Sequence, residues 1–176
     1  MVFLFSIFAQ WFSRGAFLQI FFQQEESLLL IAVLFGAVAL SSPIQGHMSD
    51  LTSRKKVILM GLTFTTASLL IAFFAPQTNF IKLPIILGIA AVLNGVFGNV
   101  FPASGAAFSE QTKDQRQSMV RLLLCRYLGM GAGFILPFPQ TQKLIFGITL
   151  TVVAILWVIL EVEGGKIAEK GQKEAP

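Results

Sequence analysis

Charged positions along this chain come in clusters, and the stretches between them are apolar. Ser27–Gly46 carries no Asp, Glu, Lys or Arg, and neither do Val57–Ile81, Leu83–Ser109 and Leu144–Leu160. Tyr127–Gln142 is also free of charge and reaches back to Leu122 if Arg126 is admitted, while Phe3–Phe22 holds only Arg14. A helix that crosses the hydrocarbon core of a bilayer needs about 20 mostly apolar residues. The gaps therefore predict six helices, over residues 3–22, 28–46, 57–76, 83–108, 121–138 and 143–161. Six such spans use about 120 residues, which leaves short loops and no room for a soluble domain. The expected architecture is an all-α membrane protein, with a six-helix transmembrane bundle over 1–161 and a solvated, charged, flexible tail over 162–176.

Composition agrees with the pattern. Hydrophobic residues make up 55% of the 176 positions and charged residues 12%, about half the charge of a soluble domain. This balance excludes a soluble enzyme, a nucleic-acid binder and a disordered chain. One Cys and one His exclude an internal disulfide and a Cys/His metal cluster. No cofactor is implied, and no phosphate-binding Gly-x4-Gly-Lys-Ser/Thr loop is present. An intramembrane serine protease needs a Ser and a His at matched depth, and the single His47 lies between spans, so no enzyme is expected.

The net charge of +4 reflects orientation. Arg54, Lys55, Lys56, Lys113, Arg116, Arg121, Lys166, Lys170 and Lys173 fall on one side of the six spans, and only Lys82 and Lys143 fall on the other. Arg14 and Arg126 lie in or near spans and complete the 13. A bias of nine to two places both termini in the cytoplasm. The first span has no basic residue before Arg14 and no small-residue cleavage site after it, so it reads as a retained helix.

Between spans two and three the chain reads Gly46-His47-Met48-Ser49-Asp50-Leu51-Thr52-Ser53-Arg54-Lys55-Lys56, shortly after Pro43. This resembles the signature of the major facilitator superfamily, a G-x-L-A-D-R-x-G-R-K/R loop in the same place. Gly46, Asp50, Arg54 and Lys55 match in identity and spacing, and Leu51 and Ser53 stand where the family has a basic residue and a second glycine. Glu110 and Arg116, after the glycine-bearing fourth span, are similar to a Glu and Arg pair of that family, with Ala91 where its drug–proton antiporters carry an Arg. Gly129, Gly131 and Gly133 resemble the glycine-rich fifth helix of those antiporters.

The physics of the loop supports the resemblance. Gly46 would allow a tight exit from the bilayer. Asp50 would accept from a helix N-terminus, and Arg54 would pair with an acid from another cytoplasmic loop. Together these contacts would form a latch that opens and closes.

Polar positions inside the spans nominate a cavity. Ser6, Gln10 and Arg14 share one face of the first helix, the helix that lines the transport pathway in the family resembled. Arg14 would contact an anionic group of the solute, or else snorkel to the surface. Asn94 and Asn99 lie five residues apart and off one another's face, whereas Asn94, Gly98 and Pro102 share one and mark a bent, cavity-facing helix. Arg126 is expected to snorkel to the cytoplasmic surface, and the nearly all-apolar sixth span to face lipid.

The resemblance implies secondary active transport of a small polar or organic solute by alternating access, in a multi-pass protein of a bacterial inner (plasma) membrane. It covers one six-helix half of a twelve-helix fold in which solute binds between halves. The expected partners are the bilayer, the solute, and a second six-helix half or a second copy. The polar stripe is expected to lie on the face that meets that partner, so that an isolated monomer would not transport. An inactive or regulatory half-transporter is the alternative.

Overall fold

The structure, a computed structural model, describes residues 1–77, 82–111 and 114–173, apart from the side chains of Gln111, Gln115 and residues 162–173. Lys113, the Lys166, Lys170 and Lys173 side chains, and the last three positions of the tail therefore lie outside the described residues. Seven α-helices follow one another: α1 (Val2–Phe21), α2 (Ser27–Leu51), α3 (Arg54–Phe74), α4 (Leu83–Val92), α5 (Phe101–Gln111), α6 (Gln115–Ile135) and α7 (Gln140–Lys173). No strand occurs among the described residues.

Five stretches are long and apolar enough to cross a membrane: Ser27–Leu51, Arg54–Gln77, Leu83–Glu110, Arg116–Ile135 and Gln140–Glu161. Such a set is compatible with a multi-pass membrane protein. The first helix is not in that set. It is instead the most enclosed element, with 15 of its 20 residues buried from Val2 to Phe21, whereas α2 buries only Leu30, Leu34, Ser41, Gln45 and Ser49.

Helix boundaries depart from the charge gaps where local chemistry decides them. Asp114 caps α6 by accepting from the Arg116 and Gln117 backbone N–H groups at 3.0 and 3.2 Å. The helix therefore starts six residues before the expected 121, through a charged first turn that a search for charge gaps misses. Pro137 and Pro139 end it early, at Ile135. Helix α7 does not stop at 161 but runs to Lys173, through Gly164, Gly165 and Gly171 as well as the helix-forming Glu, Lys and Ala. Gly46 makes no turn. It lies inside α2, which continues to Leu51, and the chain reverses at Thr52 and the extended Ser53 with no positive φ among the described residues.

The expected single helix over 83–108 is broken. After α4, Leu93–Phe97 forms a π turn closed by the Gly98 N–H donating to the Leu93 carbonyl at 3.0 Å, and α5 begins only at Phe101. Asn, Gly and Pro at positions 94, 95, 98, 99 and 102 explain the break, since each is a poor helix former or a helix stop. Pro102 has no N–H to offer the Gly98 carbonyl four residues back, and the Thr65 hydroxyl of α3 donates to that carbonyl at 3.2 Å instead. The Gly95 and Val96 carbonyls, which Asn99 and Val100 would serve in a continuous helix, accept from Ser41 and Gln45 of α2. Each of these released carbonyls has found a side-chain donor, as a low-dielectric surrounding requires.

Helices α1 and α6 approach closely through glycines. A Cβ added at Gly129 would lie 2.6 Å from the Phe8 carbonyl oxygen, and one at Gly15 or Gly133 would press closer still on the Met130 or Phe12 oxygen. This is small-residue packing at i, i+4 spacing. Gly131 has nothing within 4 Å. Helix α7 packs on α1 and α3 and buries Lys143, Leu144, Ala154 and Val158, while Val152, Val153, Leu156, Trp157 and Leu160 stay exposed. Lys143 is held because its ammonium donates to the Phe134 carbonyl at the end of α6, at 2.9 Å.

Candidate functional site

The buried apolar side chains form two layers. One contains Ile7 and Trp11 of α1, Ile58 and Leu62 of α3, and Ala103 of α5. The other contains Phe17 and Phe21 of α1, Leu69 of α3, and Leu87 and Ala90 of α4. Between these positions along the helices lies a polar node that includes Ser13, Arg14, Thr65, Ser68, Asn94 and Asn99, each at most 1% exposed.

Arg14 is its centre. Its Nε donates to Asn94 Oδ1 at 3.3 Å, and Nη2 donates to Asn99 Oδ1 at 3.5 Å. The Asn94 amide donates in turn to Ser13 at 3.2 Å and Ser68 at 3.1 Å, and Asn99 donates to Ser42 at 2.8 Å. Four elements thus converge through neutral acceptors on one cation. The expectation that Asn94 and Asn99 face apart is overturned. A separation of five residues misaligns two side chains on a regular α-helix, but the π turn and the non-helical residues after it bring both to Arg14.

Two further expectations change here. Ser6, Gln10, Arg14 and Asn94 are fully enclosed by the chain's own helices instead of lying on an open face. The premise that an isolated chain would leave this stripe against lipid is therefore lost. Arg14 does not snorkel, and Arg126 turns inward as well. The Arg126 guanidinium stands 4.1 Å from the Trp11 ring centroid, 5.5 Å from Phe101 and 5.6 Å from Tyr127. Arg14 lies over the same Trp11 ring at 4.4 Å. Stacking on aromatic rings compensates a half-buried guanidinium for part of its lost hydration.

The signature residues gather at one end of the bundle. Arg54, the first residue of α3, forms an ion pair with Glu110 near the end of α5, and a second one at 3.7 Å with Asp50 in the last turn of α2. Asp50 therefore pairs with a side chain four residues on. Lys55 is half-buried beside them, and Gly46 lies within α2 with Pro102 of α5 as its nearest neighbour. Arg116 is exposed in the first turn of α6, and among the described residues no ion pair joins it to this cluster. His47 is exposed on α2.

Trp11, Ser13, Ser42, Thr65, Ser68 and Arg126 belong to the assembly, yet the sequence did not nominate them as site residues. A hydroxyl at 13, 65 or 68 inside an apolar span was the available signal, but hydroxyls commonly bond back to their own helix, as Ser68 also does to Thr65. No protein-family model matches the chain, and neither the curated proteins nor the solved structures compared with it give a match.

Proposed function

We propose that this chain is a six-helix unit of a secondary transporter of the major facilitator type, carrying a small polar or organic solute across a membrane by alternating access. In this reading α1 is the sixth span, shielded from lipid by its neighbours. Both termini are cytoplasmic, the membrane is a bacterial inner membrane, and a second six-helix unit faces this one across the pathway. The observation that carries the proposal is the Arg14–Asn94–Asn99 node, set at a break in the fourth span between two apolar layers. Broken helices and buried charge at mid-depth are costly in a membrane, and carriers use them to hold solutes. Arg54, with Asp50 and Glu110, ties α2, α3 and α5 at the cytoplasmic end and supplies a contact that can alternate between states.

Reconstitution into liposomes and uptake of a panel of labelled solutes tests this. Saturable uptake that Asn94→Leu abolishes is the expected result. A second reading is favoured by the enclosure of the node, since Gln10, Arg14 and Asn94 are each 0% exposed. In that reading the unit is regulatory or inactive and has no transport of its own. Absence of uptake across the whole panel, from protein verified as folded and inserted, would select it.

A further inference from the structure

One part of the buried polar assembly has no hydrogen-bond partner among the described residues. Both amide atoms of Gln10 are buried without a hydrogen bond, as are the Trp11 indole N–H, Nη1 of Arg14 and Nε of Arg126. Four of these five atoms are donors. Gln10, Trp11 and Arg14 occupy neighbouring positions of α1, and the guanidinium groups of Arg14 and Arg126 stand 4.4 and 4.1 Å from one ring, that of Trp11. Among the described residues neither arginine forms an ion pair. Two cations held on one ring in a low dielectric repel each other, and unsatisfied donors beside them add to that cost. One group relieves both, an anion with several acceptor oxygens.

We infer that Arg14, Arg126, Gln10 and Trp11 form a binding site for an anionic oxygen group, a carboxylate or a phosphate, carried by the transported solute. The inference rests on the transporter reading and deepens it by naming the substrate class. Guanidinium forks match carboxylate and phosphate oxygens in geometry as well as charge, and two forks select such groups over cations and neutral solutes. A groove of about 380 Å³ lies between α5 and α6. It is lined by Phe101, Pro102, Gly105, Ser109, Ser118 and Leu122. Two of these residues neighbour the second cation, since Arg126 lies one turn beyond Leu122 and stands 5.5 Å from the Phe101 ring.

The site contains its own reporter. The chain has two tryptophans, and Trp157→Phe leaves Trp11 as the only indole. In phosphatidylcholine nanodiscs this protein is titrated with inorganic phosphate, with succinate, and with choline as the cationic control. Phosphate or succinate should change Trp11 emission saturably, and choline should not. Arg126→Gln and Arg14→Lys should each weaken that response about tenfold or more with unchanged helical circular dichroism. No response to either anion or to phosphatidylglycerol from folded protein, or an undiminished response in Arg126→Gln, overturns the site. A parallel arm uses phosphatidylglycerol nanodiscs. If that lipid alone produces the change and free anions do not, the site belongs to a headgroup and the solute assignment fails. Anion binding without uptake in liposomes upholds the site and removes the transporter reading. Uptake of a neutral or cationic solute without an anion response does the reverse.

Discussion

Arg14 keeps its charge among Phe, Leu and Ile side chains because neutral groups share it. Two asparagine carbonyls accept from it and an indole ring lies beneath it. Asn94 matters most, since it accepts from Arg14 while donating to Ser13 and Ser68. Asn94→Ala removes all of these bonds at a fully buried position, and it should cost about 1–3 kcal/mol. Reversible unfolding in mixed detergent measures this, and a loss below a few tenths would deny the node its structural part. Asn94→Asp puts a carboxylate beside the guanidinium. It should retain most of the stability through a charged pair while giving up the donors to Ser13 and Ser68. The same variant should weaken phosphate or succinate binding, because an internal anion then competes with the external one. Stronger binding in Asn94→Asp would contradict the proposed anion site.

At the scale of helices, the α1–α6 contact offers a sharper test than any buried apolar residue. Gly129 and Gly133 touch the α1 backbone, whereas Gly131, between them in sequence, points into open space. Gly131→Ala should be neutral, or should stabilise by up to about 1 kcal/mol through helix propensity. Gly129→Ala and Gly133→Ala gain the same propensity but must push α1 away, at a cost of about 1–3 kcal/mol typical of overpacking. Thermal melting of the three variants in one detergent decides the matter, and equal behaviour would mean that the helices do not meet through these glycines. The broken fourth span follows a similar logic. Its helix-poor residues make the break, and Thr65, Ser41 and Gln45 on other helices make it tolerable.

In the proposed topology the whole molecule has a sidedness, and the proposed latch is a contact that responds to it. Topology predicts that single cysteines at Thr52 and Gln77, in a Cys125→Ser background, react with an impermeant reagent from opposite sides of the membrane. Labelling of both from outside would reject the assignment of the ends. The Arg54–Glu110 pair is a good subject for charge reversal. Asp50 and Glu110 are 67% and 64% exposed, so their pairs with Arg54 are worth only about 0.2–1 kcal/mol each to stability. Arg54→Glu alone should therefore leave the melting temperature nearly unchanged while lowering uptake several-fold, and the double variant Arg54→Glu/Glu110→Arg should recover much of that uptake. Full activity of Arg54→Glu would reduce these charges to topological signals. A mass measurement in nanodiscs, made alongside uptake, tests the proposed second unit. A single copy of this chain that carries solute saturably would show that none is needed.

The sequence by itself determined where apolar runs lie, and hence that the chain is helical with several stretches fit to cross a bilayer, because hydropathy and length are local properties. It also exposed the chemistry that does not belong among apolar neighbours, namely Arg14, Asn94 and Asn99. It could not say that these three meet. Their meeting depends on a π turn between positions 92 and 98 and on the packing that brings Arg14 of α1 within hydrogen-bond distance of Asn94 and Asn99. Periodicity assumes a regular helix and assigned Asn94 and Asn99 to different faces. Nor could it place Arg126. Snorkelling was the cheaper fate on an isolated helix, and only the approach of Trp11, made possible by glycines on both α1 and α6, offered a closer place for the charge. Local sequence fixes which groups must find partners, and the packing of helices from distant parts of the chain decides which partners they find.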